Sequence, residues 1–254
     1  MDFGSSLSGL GIISGIRESV SDAALFMKMP LVSINLMHFK TKDNDPFYGK
    51  LVVDFYRESN KRHRKLFFLK SFCFGVSVCK LPEDPEHYFR KMIEESAQRN
   101  YRKAQKAGYA FKRIDYNAYL GDIADIWRSK EVRQGRMPES LLKNEASPCP
   151  NPPSKRNFHD YPYFGVLKDG KLFAYAGGLL AGEVFSIDII YGHGDRQKDG
   201  IMGMLMVDIV RYLRANYSNV KYMVYGTYFG GRLKMRRFKR KFGFMPCKVS
   251  WILD

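Results

Sequence analysis

From Tyr163 onward the apolar positions change period several times. "YFGVLK" and "KLFAYAGGLLA" are apolar runs separated by Asp169-Gly170, a dipeptide suited to the left-handed backbone of a tight hairpin. Gly182-Glu183 then separates the second run from "VFSIDIIYGHG", which makes a three-stranded meander. Ile201, Leu205, Ile209 and Leu213 recur at helical spacing and predict a helix over about 200–214, with Asp199 as its cap. "VKYMVYG" (220–226) reads as a strand. "GRLKMRRFKRKFG" (231–243) reads as a basic helix anchored by Leu233, Phe238 and Phe242, and "MPCKVSWILD" as a closing strand.

Upstream, "DPEHYFRKMIEESAQRNYRKAQKAG" predicts one helix from Asp84 to Gly108. Asp84 suits the cap, Pro85 the first position and Gly108 the C-terminal stop. "YAFKRIDY" (109–116) alternates like a strand, and Tyr119, Leu120, Ile123, Ile126 and Trp127 mark a helix within 117–130. A short helix follows at 138–144, and the Pro-rich stretch 147–162 reads as a loop. Before Pro82 the pattern gives a helix or strand near 47–57 and a strand near 72–80; residues 1–40 are Ser/Gly-rich and read as an extension or short helix. The result is an α/β chain with a mixed sheet flanked by helices. Its expected division is an N-terminal extension or partial second domain over 1–83 and a main domain over 84–254, with the core at 109–254.

With 254 residues, 45% of them hydrophobic and 15% aromatic, the chain can bury a sizeable core. The four cysteines, Cys73, Cys79, Cys149 and Cys247, form no C-x-x-C pair, and no His/Cys cluster has zinc spacing, so no metal is expected. Cys73 and Cys79 lie in an apolar run and read as buried thiols, and the cytoplasm is the simplest setting. No apolar run is long enough to span a bilayer.

Charge changes the picture more. The formal net charge is +16, and the cations cluster. Arg232, Lys234, Arg236, Arg237, Lys239, Arg240 and Lys241 crowd one helix without an acid among them, which favours an anionic partner over a merely solvated face. Arg99, Arg102, Lys103 and Lys106 form a second patch around Tyr101, and Lys61, Arg62, Arg64 and Lys65 another. Separated patches suit a long polyanion such as tRNA. Arg133 and Arg136 flank Gly135 and are placed to hold a carboxylate or phosphate, or to form an ordinary basic turn. "RQKDGIMG" opens the helix at 200. Its Gly200 permits close backbone approach, while Arg196 and Lys198 add charge at a helix N-terminus, so the segment reads either as a phosphate site or as a plain helix start.

The element order from 109 to 254 resembles the N-acetyltransferase (GNAT) superfamily. In that family the helix after the third meander strand opens on Q/R-x-x-G-x-G/A. The matching residues are Gln197, Lys198, Asp199, Gly200, Ile201 and Met202; Met202 stands where a small residue is expected, and Gly203 comes one place later. "RNYRKAQKAGYAFKRID" (99–115) and "FKRKFGFMP" (238–246) are similar to segments of Fem-type aminoacyl-tRNA-dependent transferases, which generally carry two such domains. The resemblance implies acyl transfer from an acyl-CoA or acyl carrier protein thioester to an amine-bearing small molecule or peptide. Arg196, Gln197, Lys198, Gly200 and Gly203 would receive the donor, and Arg133 and Arg136 would lie in the acceptor pocket. Aminoacyl-tRNA is the alternative donor, with Arg99, Arg102, Lys103, Arg232, Arg236, Arg237, Lys239 and Arg240 on the nucleic acid. A non-catalytic nucleic-acid-binding module on the same scaffold is a further reading. Acyl transfer to an amine needs a base and stabilisation of an oxyanion. Asp188 and His193, with Asp195 beside it, are the candidate bases. Tyr225 and Tyr228 are candidate proton donors to the leaving group, and backbone amides near Ile189 and Ile190 would polarise the acyl carbonyl.

Overall fold

A computed structural model describes residues 28–40, 45–61, 75–133, 136–229 and 232–254. Cys73, the start of the strand expected at 72–80, Arg62, Arg64, Lys65 and Gly135 lie outside them, as do residues 1–27. The strands are β1 (Leu31–Asn35), β2 (Val76–Lys80), β3 (Ala110–Ile114), β4 (His159–Asp160), β5 (Tyr163–Lys168), β6 (Lys171–Ala181), β7 (Val184–Gly192), β8 (Tyr222–Thr227) and β9 (Met245–Ile252). The helices are α1 (Pro46–Asn60), α2 (Pro85–His87), α3 (Glu95–Lys106), α4 (Leu120–Arg128), α5 (Glu139–Lys143), α6 (Ile201–Asn216) and α7 (Leu233–Lys241).

The strands form one mixed sheet in the order β1-β9-β2-β8-β7-β6-β5-β3, with β4 pairing on β6. β7 and β8 run parallel, as do β1 and β9; the other pairs are antiparallel. The alternation of β6 sorts the two faces. Ala174 and Ala176 face α3 and α6, where Leu205, Ile209 and Leu213 are fully buried. Tyr175 faces α4 and packs with Ile123, Ile126 and Trp127; the Trp127 indole N–H donates to the Tyr175 hydroxyl at 2.8 Å. β2 lies inside the sheet, between β9 and β8, and β1 flanks β9. The described part of residues 1–83 therefore continues the same sheet as the rest.

Several elements depart from the sequence expectation. The helix expected over 84–108 is broken. Asp84 does cap its start, accepting the Glu86 N–H at 2.8 Å, but a π turn over Tyr88–Met92 ends with Ile93 extended (φ −97, ψ 152). The chain turns there because Ile93 is buried and the Glu94 N–H bonds to the Lys241 carbonyl at 3.0 Å, tying α3 to the end of α7. Asp199 does not cap α6. The N-cap is Gly200, in the left-handed region at φ +88, and the Asp199 carboxylate instead accepts the Tyr109 hydroxyl at 2.9 Å. Leu233, expected as an anchor of α7, is 56% exposed; Met235 is buried in its place, beside Phe242, which is buried as expected. Residues 31–35, read as part of an extension, pair in register along β9.

Candidate functional site

β7 and β8 pair only over Val184–Ser186 against Tyr222–Val224, and then part. The separation begins where β7 carries an extra residue. Gly177 faces Ile189 and Gly178 faces Ile187, leaving Asp188 bulged between them. Gly178 makes the bulge possible, because a Cβ there would lie 1.9 Å from the Ser186 carbonyl oxygen. Beyond the bulge the parted strands open a cavity of about 520 Å³. Its walls are β7 from Asp188 to Gly192, Tyr225 of β8, Met202 at the start of α6, Met235 and Phe238 of α7, and the connection after α4.

Asp188 is held by two hydroxyls. The Tyr161 hydroxyl donates to one carboxylate oxygen at 3.1 Å and the Ser186 hydroxyl to the other at 3.2 Å, and the Leu179 N–H also favours the charged form. The face toward the cavity stays exposed, while protein on the other sides withdraws water and pushes its carboxyl above the usual range. A base so raised is better matched to taking an amine proton than an ordinary surface aspartate. Across the cavity, the Tyr225 ring packs edge-on to Phe244 with centroids 6.4 Å apart, and the Lys239 ammonium lies 4.8 Å over it.

The other two catalytic candidates do not line the cavity. The His193 backbone N–H bonds to the Phe173 carbonyl at 2.7 Å and its ring sits edge-on to Phe173, with its basicity lowered chiefly by burial. Tyr228 is 5% exposed and its N–H bonds to the Gly75 carbonyl. Asp188 and Tyr225 thus converge, and His193 and Tyr228 stand apart.

Gln197 lines the cavity; Arg196 and Lys198 do not, both being exposed, with the Arg196 guanidinium over the Phe173 ring. Gly200 and Gly203 point elsewhere. A Cβ on Gly200 would lie 2.0 Å from the Asn100 carbonyl oxygen, and one on Gly203 would lie 3.0 Å from the Tyr101 nitrogen. Their glycine requirement comes from the close crossing of α3 and α6. Met202, in the family's small-residue position, packs on Gly192, where a Cβ would lie 2.6 Å from its sulfur.

Arg133 and Arg136 both line the cavity. Arg133 is spent on the protein: it donates to the Gly192 carbonyl at 2.6 Å, to the Ile126 carbonyl, and to the Ser129 hydroxyl at 3.2 Å, and lies over the Tyr191 ring. It braces the end of β7, whereas Arg136 is exposed. Arg99, Arg102, Lys103, Arg232, Arg237 and Arg240 are also exposed, and Arg236 is half-buried. Lys239 is a correction to the nucleic-acid set. It is 3% exposed, with its ammonium donating to the Thr227 carbonyl at 2.6 Å, so it cannot meet a phosphate on the surface. The sequence did carry the signal: Met235, Phe238, Lys239 and Phe242 share the helical spacing of a buried stripe. Sequence reasoning missed Lys130, Tyr161 and Ser186, and it placed Lys234 on the basic helix without assigning it to this cavity. Tyr161 and Ser186 gave no signal, since their contact with Asp188 depends on the fold.

No family model and no curated protein sequence matches the chain. Solved structures do. FemX matches over 69% of this chain and 60% of its own, with a TM-score of 0.52 and 10% identity. The C-terminal domain of a putative lysylphosphatidylglycerol synthetase from Agrobacterium fabrum matches over 68% of this chain and 58% of its own, with a TM-score of 0.44 and 19% identity. A tandem GNAT protein from the clavulanic acid biosynthesis pathway matches over 68% of this chain and 50% of its own, with a TM-score of 0.43 and 12% identity. The chain thus spans 50 to 60% of the length of these structures. The fold is GNAT-like, with similarity to FemX. No helix among the described residues is long and apolar enough to cross a membrane.

Proposed function

We propose that the protein is an acyltransferase that moves an acyl group from an acyl-CoA or carrier-protein thioester to an amine. The observation that supports this most is the cavity between the parted ends of β7 and β8, where the bulged Asp188 and Tyr225 converge. The amine nitrogen attacks the acyl carbonyl carbon and a C–N bond forms. Asp188 takes the amine proton, the C–S bond breaks, and Tyr225 protonates the departing thiolate. Backbone amides at the bulge, near Ile189 and Ile190, face the developing oxyanion. Arg196, Gln197 and Lys198, ahead of the α6 N-terminus, are the residues for the donor's phosphates. The test is incubation with a panel of CoA and carrier thioesters and mixed amines, scoring N-acyl product and free thiol together. Asp188→Asn should cut the rate by about 10²- to 10⁴-fold. Absence of product with every thioester overturns the reading.

A second reading, aminoacyl-tRNA as donor, draws support from one contact. The α7 end meets the α3 start, and the basicity of Lys241, lowered first by burial, is lowered further by Arg99 and Arg237. Two patches far apart in sequence therefore adjoin, although Glu94 and Glu95 temper them. This reading expects tRNA binding that weakens steeply with added salt, and charge-removing changes at Arg237 and Arg240 that flatten the slope. Binding indifferent to salt would remove it.

A further inference from the structure

The cavity is unevenly charged. Lys130, Arg136 and Lys234 line it from two separate elements, and among the described residues none of them meets a carboxylate at ion-pair distance. Arg133 adds a fourth positive charge, but its terminal nitrogens are engaged by protein oxygens. Asp188 is the single acid among the described residues of the lining. Three cations lining one cavity repel one another, a cost that an anion in the cavity relieves. Apolar side chains, Met137, Met235 and Phe238 among them, fill the lining between.

We propose that the acceptor of this cavity is an amine that also carries a phosphate or carboxylate group, held by Lys130, Arg136 and Lys234 while its amine faces Asp188. This rests on the acyl-transfer reading for the role of the amine, and on the charge of the cavity alone for the anion. The body of the acceptor lies against Met137, Met235 and Phe238. A simple alkylamine would leave the three cations unpaired and bind poorly. The anion therefore sets specificity, and ionic strength weakens binding because all three cations are exposed.

Calorimetric titration of the full chain tests this without turnover. The probes are phosphoethanolamine, β-alanine and propylamine, which share an amine and differ at the far end. The first or second should bind at least about tenfold more tightly than propylamine, and the better of the two identifies the group. Lys130→Met, Arg136→Met and Lys234→Met should each weaken that probe about fivefold or more, whereas Lys50→Met, on α1, should not. Equal binding of the three probes, binding of none, or binding indifferent to all three cavity substitutions overturns the inference. Thioester assays with the same amines separate it from the reading it rests on. Acylation of propylamine as readily as the anionic amines would sink the anion site and leave the transferase. Cation-dependent binding with no acylation of any amine would do the reverse.

Discussion

Asp188 and Lys239 carry opposite charges at a shared thermodynamic cost, since each is pushed toward its neutral form by burial. Asp188 has a folded pKa above its unfolded one. The native state therefore holds its proton more tightly, and stability falls as pH rises through this interval; above it, the ionised carboxylate costs stability in full. Asp188→Asn should accordingly melt slightly higher than the parent at neutral pH while losing transfer activity, the gain being small because the carboxylate keeps solvent access. Thermal melts at pH 4 and 7 check this, the difference being greater at pH 7. Lys239 has the mirror case: desolvation lowers its pKa from 10.5 to about 8. Between these values the unfolded chain binds the proton that the native chain releases, so stability rises with pH across the window. Lys239→Met should raise the melting temperature at pH 7, and its advantage should shrink as pH approaches 10.5. An advantage that stays constant with pH would mean that Lys239 is not the group relieved. That a lysine occupies the stripe of Met235, Phe238 and Phe242 was legible in its spacing. Its burial was obscured by six neighbouring cations that do face outward or partly so.

At the scale of elements, the hairpins and α6 were legible because period and turn chemistry agree there: Asp169-Gly170 turns, and Ile201, Leu205, Ile209 and Leu213 are all buried. β1 was not, because five residues gain strand identity from pairing with β9 rather than from their own pattern. The break before α3 was equally hidden, since the extended turn at Ile93 is held by the bond from the Glu94 N–H to α7, far along the chain. The bulge is intermediate. "AGGLL" shows two glycines in a strand, which signals an irregularity, but only the register reveals that Asp188 is the residue it turns out. Gly178→Ala should therefore destabilise the fold by about 1–3 kcal/mol and disturb the site together. Chemical denaturation measures the first. Loss of the transfer reaction beyond that explained by unfolded protein measures the second, and a stable, fully active variant would show that the bulge does not depend on this glycine. Gly200, by contrast, is a poor probe of anion binding, because any side chain there meets the Asn100 backbone.

For the molecule as a whole, the boundary suggested near residue 83 falls within one continuous sheet. β2 supplies Val76 and Val78 to the core shared with Ile34, Val52, Val224 and Trp251. A chain beginning at residue 84 would expose the inner edges of β8 and β9 and strip their packing, so we expect it to be insoluble or molten. Circular dichroism and a melting curve of the 84–254 fragment decide this; a cooperative melt matching the full chain would make the earlier residues dispensable. The overall class was readable from element order, since a meander followed by helix and strand allows few arrangements. The insertion of an early strand between two late ones was not, because nothing in "VSVCK" names its partners.

That insertion also orders events in time. Val76–Lys80 leave the ribosome long before either neighbour, Tyr222–Thr227 or Met245–Cys247. Through that interval this apolar strand has no proper mate. The nascent chain must either shelter it in provisional contacts or leave it to a holding chaperone until both partners emerge.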